Sequence, residues 1–415
     1  MLKALRGTKD ILPADIGIWQ AVESSARDIA AIYGYKEIRT PIIEEASLFI
    51  RSIGDTTDIV QKEMYVFSDR GGRNIALRPE ATASVVRAYL ENSIGGGEAL
   101  AKLFYIGPMF RSERPQKGRQ RQFYQMGVEA IGSDNPLLDV EVILLAVRFL
   151  QKLGLRDFSV KINSLGCEKD KKAIIKKYRD AIKPYLKSLC SECGERSKKN
   201  VLRVFDCKNE KCGKIVEDIK FENLLCKDCA GHLEFVKKGL DRAGIEYILE
   251  PKMVRGLDYY TKTVFEITCP DLGAKDAICA GGRYNNLIRD MGGKDTPAIG
   301  FAFGMERLIL AGKGKVSLPG SSLDIFVAVT GNDFQGDAFK IVSLLRDRGS
   351  SCEMDYEKRS LKAQMRKAQR LNARFVIIFG EEEFKQGKVI LRDMEKGSQR
   401  EVSLTDISKE IKQRC

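Results

Sequence analysis

Among 415 residues there is one histidine, His232, and one tryptophan, Trp19. A single histidine leaves no material for a Ser-His-Asp triad, a multi-histidine metal centre or a histidine acid–base relay. No window approaches the ~20 consecutive apolar residues that a membrane-spanning helix needs. The first thirteen residues reach Asp10 and Pro13 without an apolar run, so neither a signal peptide nor a membrane anchor is expected. That points to the cytoplasm, where the 11 cysteines stay reduced. What is abundant is positive charge: 70 Lys and Arg against 57 Asp and Glu, a net +13. A chain this basic meets a polyanion, nucleic acid first. With 43% hydrophobic and 31% charged residues the composition is globular, and the length suits two or three domains.

Residues 13–33 carry apolar positions at Ile16, Trp19, Val22, Ala26, Ile29 and Ile32, the spacing of a helix stopped by Gly34. Residues 80–90 and 139–153 also read as helices. Residues 102–131 read as two strands joined by a polar loop over 113–121. Between about 165 and 240 the composition turns basic, with 19 Lys and Arg against 12 Asp and Glu, so 19 − 12 = +7. This stretch reads as an inserted module. A Gly, Ser and Lys-rich linker over 313–322 precedes alternating strands and helices, the pattern of a separate α/β domain.

Side chains alternate between the two faces of a strand. Over 122–131 one face carries Tyr124, Met126, Val128 and Ala130, which is ordinary core. The other carries Phe123, Gln125, Gly127 and Glu129: a ring, an amide, bare backbone and a carboxylate in one row. Gly127 is expected to leave room for a ligand. If the two strands pair, Arg111 lies beside that row. Loop 113–121 holds four cations and a glycine and suits phosphate or RNA backbone. The segment 300–307 reads as a strand-to-helix turn that puts Arg307 in the first helical turn, where the dipole opposes a cation.

Several segments together resemble class II aminoacyl-tRNA synthetases. Phe110-Arg-Ser-Glu-Arg-Pro-Gln-Lys-Gly-Arg119 with Gln122-Phe-Tyr-Gln-Met-Gly-Val-Glu129 looks like motif 2, the 300–308 segment like motif 3, and the Pro41 region like motif 1. Arg255-Gly-Leu-Asp-Tyr-Tyr260 and Ala280-Gly-Gly-Arg-Tyr284 resemble the histidine-pocket peptides of the histidyl-tRNA synthetase family. Arg78-Pro-Glu-Ala-Thr82 and Arg6-Gly-Thr-Lys-Asp10 resemble further parts of that family.

The resemblance implies an α+β fold: a catalytic domain over 1–320 built on an antiparallel sheet flanked by helices, interrupted by the module, then an α/β anticodon-binding domain over 323–415. It implies that L-histidine is activated by ATP with Mg²⁺ and transferred to the 3′ end of tRNA(His) by a homodimer whose motif 1 segment lies at the interface. Arg111 and Arg255 would grip the α-phosphate, and Gln125, counted with them as catalytic, would lie close to the α-amino group of the histidine. Phe123 would stack on adenine, with Arg307 on the opposite face and Glu113 at the adenine amino group. Glu80, Ala81 and Thr82 would line the α-amino end, and Glu129, Tyr259 and Tyr260 the imidazole. Gln116 and Arg119 would reach the tRNA acceptor end. Ala81 stands where many relatives have glycine. The other implied function is a non-catalytic regulatory subunit of ATP phosphoribosyltransferase, a paralogue that lacks the last domain. The intact arginines and residues 323–415 speak against it.

Three cysteine pairs lie in the module: Cys190 and Cys193, Cys207 and Cys212, and Cys226 and Cys229. CxxC pairs in a cytosolic chain read first as zinc ligands. A structural Zn²⁺ would take Cys190, Cys193 and two of Cys207, Cys212, Cys226 and Cys229, the alternative being reduced thiols. His232 reads as a surface histidine.

Overall fold

A computed structural model describes residues 2–55, 57–96, 100–115, 118–199, 201–207, 209–217, 219, 224–253, 256–272, 277–316, 323–331, 334–404 and 406–407. Arg255 and Gln116 therefore lie outside the described residues. The chain divides into two compact units, Met1–Leu318 and Pro319–Cys415.

The first unit is organised by an eight-stranded sheet. In spatial order its strands are Lys36–Glu37, Ala101–Phe110, Gln122–Ile131, Ala298–Gly304, Ala277–Arg283, Thr261–Thr268, Ser159–Ser164 and Ile248–Leu249. The six inner strands are antiparallel, and the two short edge strands pair in parallel. One face sends Met126, Val128, Ala130, Phe301 and Phe303 into the main core, under helices Pro13–Ile32 and Pro136–Lys152. Both helices begin with proline, whose missing N–H costs nothing there. Asn135 caps the second by accepting from the Leu137 amide at 2.9 Å. The opposite face carries the polar row. Beside it, helix Thr82–Glu91 and a three-stranded sheet (Ile43–Glu45, Asn74–Leu77, Tyr65–Ser68) hold the segment around Pro41.

The basic module is helical and has its own small core of Tyr178, Ile182, Cys193, Val201, Val204, Cys212 and Val216. Helix Lys227–Arg242 differs from it: Val236 and Leu240 are fully buried in the main core. Its basic composition groups it with the module, but its apolar stripe packs it against helix Pro136–Lys152 and the main core.

His232, on that helix, is not a surface residue. Its Nε2 is 2.7 Å from Asp139 Oδ2, which also accepts from the Thr263 hydroxyl at 2.6 Å. Asp139 Oδ1 pairs with fully buried Arg283 at 2.6 Å. Two helices and two strands meet at one carboxylate, and a buried charge held this way is costly to unpair.

The second unit is a five-stranded sheet in the order Cys352–Met354, Ile325–Val329, Phe375–Phe379, Lys388–Asp393, Gln399–Ser403. Its first three strands are parallel and it buries apolar residues on both faces, the mark of an α/β layer. Among the described residues no helix is long and apolar enough to cross a membrane, and all ten described cysteines are unbridged.

Candidate active site

Strand register assembles the row. Met109 faces Phe123, Gly107 faces Gln125, Tyr105 faces Gly127 and Leu103 faces Glu129. On the other side Glu129 pairs with Gly300, which pairs with Gly282. The room expected over Gly127 is taken by Tyr105. A Cβ there would sit 2.5 Å from the phenol ring and 2.6 Å from the Phe301 carbonyl oxygen. Gly300 serves the same purpose for Glu129, since a Cβ would overlap the carboxylate, 2.8 Å from its carbon. Gly300→Ala is therefore expected to move Glu129, to cost about 1–3 kcal/mol by overpacking, and to weaken whatever Glu129 binds. Thermal denaturation beside ligand titration checks both.

Glu129 is 1% exposed. Thr82 Oγ1 donates to its Oε1 at 2.7 Å, and the Tyr284 hydroxyl donates to Oε2. Burial pushes its pKa up to about 8, against the two hydroxyls that lower it, and neighbouring Glu80 adds to the rise. Burial also raises Glu80. Its oxygens accept from the amides of Thr82 at 2.7 Å and Ala83 at 2.9 Å, so the carboxylate sits at the positive end of helix Thr82–Glu91. Ala81 adopts φ −109°, which alanine takes without strain. Burial and the neighbouring carboxylates hold the phenols of Tyr105, Tyr259 and Tyr284 well above the usual value. The rings of Tyr259 and Tyr260 are 4.8 Å apart, and those of Tyr259 and Tyr284 5.7 Å. Gln125 Oε1 is buried with no hydrogen-bond partner. Such an acceptor is costly unless a ligand donor meets it.

The sequence pattern alone does not single out Tyr105 or Tyr284. Tyr284 stands in the glycine-rich peptide 280–284 beside Arg283, the more ligand-like side chain. Arg283 instead anchors Asp139 and the Ser133 and Asn135 carbonyls.

At the open end of the row, Arg111 donates through Nε to the Pro79 carbonyl at 2.9 Å and lies 5.4 Å over the Phe123 ring. An adenine stacked on Phe123 thus meets the ring's other face or displaces Arg111. Arg307 runs past Gly118 of the motif 2 loop. Glu113 and Arg119, assigned to separate tasks by the resemblance, are paired at 3.0 Å. The pair is half-buried, so a ligand that uses either residue must compete with the other. The Glu306 carboxylate accepts from the Tyr124 amide at 2.9 Å, and burial lifts it to about 7.

In the module, Cys190, Cys193, Cys207 and Cys212 bring their sulfurs within 4.8 Å of one another. The geometry thus joins Cys207 and Cys212 to the first pair, not Cys226 or Cys229. The 3.9 Å between the Cys190 and Cys207 sulfurs matches the edge of a tetrahedron with Zn–S bonds of about 2.3 Å. His232 takes no part.

The sequence profile described as histidyl-tRNA synthetase matches residues 7–308, and that of the anticodon binding domain matches 324–414. The histidine–tRNA ligase of Halothermothrix orenii is 50% identical over 417 positions, covering 99% of each chain. That of Desulforamulus reducens is 47% identical, covering 99% of this chain and 98% of its own. The crystal structure of apo S. aureus histidyl-tRNA synthetase superposes with a TM-score of 0.84 at 36% identity, covering 99% of this chain and all of that one.

Proposed function

The chain belongs to the histidyl-tRNA synthetase family, whose activity is histidine–tRNA ligation, and from that premise we propose that the row over strand Gln122–Ile131 activates L-histidine with ATP before transfer to tRNA(His). The observation that carries this reading is the buried Glu129 carboxyl, fixed by two hydroxyls, beside a buried amide oxygen of Gln125 that lacks a donor. A histidine has the complementary ends: a ring N–H for Glu129 and an α-ammonium for Gln125 and Glu80. Amino acids lacking the ring nitrogens leave Glu129 unpaired in a buried site, which is the stronger kind of discrimination.

The histidine carboxylate is ionised at neutral pH, so its attack on the α-phosphorus needs no general base. Catalysis then rests on positioning and on charge placed where it develops. Arg111 is assigned to the α-phosphate, since a guanidinium fork matches phosphate oxygens. Arg255 joins it by resemblance alone. Phe123, Arg307 and Glu113 are assigned to adenine. The Mg²⁺ that accompanies ATP supplies countercharge for the outgoing phosphates, and no residue of the chain is assigned to it. Arg119 and Gln116 take the acceptor end, and the second unit the anticodon. The four thiols Cys190, Cys193, Cys207 and Cys212 would hold a structural Zn²⁺. The enzyme works in the cytoplasm as a homodimer. Exposed Ile42, Ile43, Val66 and Phe67 around the motif 1 segment support that interface. The regulatory-subunit alternative is not favoured, because the full-length relatives cover both units.

The test is ATP–pyrophosphate exchange run separately with each of the twenty amino acids. Exchange with histidine alone is expected. Exchange with another amino acid would overturn the pocket, and none from folded protein would favour the regulatory reading.

A further inference from the structure

A second cluster of metal-ligand type lies at the neck of the module. Cys167, Asp170, Cys226 and Cys229 each offer one donor atom, all within 4.8 Å of one another. They come from two helix beginnings. Cys167 is the N-cap of helix Glu168–Ile182, by which the chain passes into the module, and Asp170 lies three residues on. Cys226 is the N-cap of helix Lys227–Arg242, by which it returns, and Cys229 lies three residues on. An N-cap and the residue three places later share one side of a first helical turn. Two such pairs facing each other make a four-donor cage. Asp170 holds the two ends together already, accepting from the Cys167 amide at 3.3 Å and the Cys226 amide at 3.1 Å.

Asp170 is 4% exposed and Cys229 2%. No lysine, arginine or histidine among the described residues forms an ion pair with Asp170. The carboxylate is held by hydrogen bonds from the two amides and from the Cys226 and Cys229 thiols, with no cation beside it among the described residues to balance its charge. Three sulfurs and a carboxylate oxygen in tetrahedral reach suit zinc rather than a hard, oxygen-seeking cation. Ligated in their ionised forms they leave two net negative charges, facing two helix N-termini that favour such charge.

Residues next to the cage are hydrogen-bonded to the chain on either side of Tyr259 and Tyr260. The Leu165 amide donates to the Lys262 carbonyl at 2.8 Å, and the Lys262 amide donates to the Gly166 carbonyl at 2.7 Å. Lys171, one residue after Asp170, donates from Nζ to the Asp258 carbonyl at 2.6 Å. Asp258 immediately precedes Tyr259 and Tyr260.

We propose that Cys167, Asp170, Cys226 and Cys229 bind a second Zn²⁺, separate from the four-thiol site, which clasps the two chain crossings into the module and holds the 258–260 loop in place. The clasp stands on the cage itself. The effect on histidine rests on the pocket reading given above.

The experiment uses the full chain expressed with added zinc and purified reduced, without chelator. Elemental analysis is expected to find two zinc ions per chain, one in Cys229→Ser and one in Cys193→Ser. A single zinc in the unmutated chain that Cys229→Ser still keeps, or two zinc ions still present in Cys229→Ser, would overturn the proposal. Should Cys229→Ser fail to fold, the ¹¹³Cd spectrum of the unmutated protein decides: two resonances are expected, one four-sulfur and one three-sulfur in character, and a single four-sulfur resonance overturns the site. With the site established, Cys229→Ser is expected to raise KM for histidine about fivefold, the low end of coupling between sites, with KM for ATP unchanged. An unmoved histidine KM in a variant that has lost one zinc would overturn the coupling, whereas failure of the pocket reading would show instead in the amino-acid specificity of the unmutated protein.

Discussion

Replacing Glu129 with glutamine is expected to cut kcat/KM for histidine by about 10- to 100-fold, the loss that goes with one charge-assisted hydrogen bond, and to leave KM for ATP unchanged. The pH profile carries the more specific signature. Burial raises the Glu129 carboxyl to about 8, so free enzyme near neutrality holds a proton there. Free histidine takes up a ring proton below about 6.5. The productive complex needs one proton shared between carboxyl and ring. Below about 6.5 carboxyl and ring both carry their titratable proton, and above about 8 neither does and only the ring's own N–H remains, so kcat/KM is expected to be bell-shaped with limbs at those values. Glu129→Gln removes the upper limb and keeps the lower, which belongs to the substrate. An upper limb that persists in the variant would assign it to another group. The sign for stability follows from the same shift. The folded value lies above the ordinary 4.5, so Glu129 favours the fold below that pH and the advantage is lost as pH rises through about 8. Steady-state exchange across pH 5.5–9, with melting temperatures over the same range, checks both.

Arg111→Ala is expected to lower the histidine-dependent exchange rate by about 10²- to 10³-fold, the usual loss when one charge-stabilising donor is removed from a reacting centre. The fall belongs in kcat. Because Arg111 Nε also holds the Pro79 carbonyl, a purely structural role would act differently. It would loosen the turn before Glu80 and appear as a raised KM for histidine. Arg111→Lys separates the two. A lysine keeps the charge but not the planar fork, so it is expected to recover part of the rate and none of the bidentate geometry. Single-turnover adenylate formation measured on all three proteins gives the comparison.

Both residues are legible in the sequence for a physical reason. From Tyr124 onward, one face of strand Gln122–Ile131 is apolar, which fixes the opposite face as the place for Phe123, Gln125 and Glu129. Arg111 follows one residue after the partner strand ends at Phe110. What is not legible is where buried hydroxyls point. Tyr284 is 155 residues from Glu129, and a buried tyrosine in a glycine-rich stretch looks like packing until the sheet register sets strand 277–283 two strands away. His232 is hidden the same way, since Asp139 lies 93 residues distant. The cysteines show a third kind of limit. Spacing names pairs, because i and i+3 share a helical turn, but it does not sort pairs into sites. Asp170, a carboxylate at the place where a pair would carry its second sulfur, carries no CxxC signal at all.

The single histidine has a consequence for how the chain is made. Its product carries histidine to the ribosome, so a synthetase rich in histidine would slow its own renewal whenever that amino acid ran short. This chain needs one charged tRNA(His) in 415 steps of synthesis. The one it has ties its helix to a buried aspartate on another. Each copy therefore draws once on the supply that it then replenishes at every turnover.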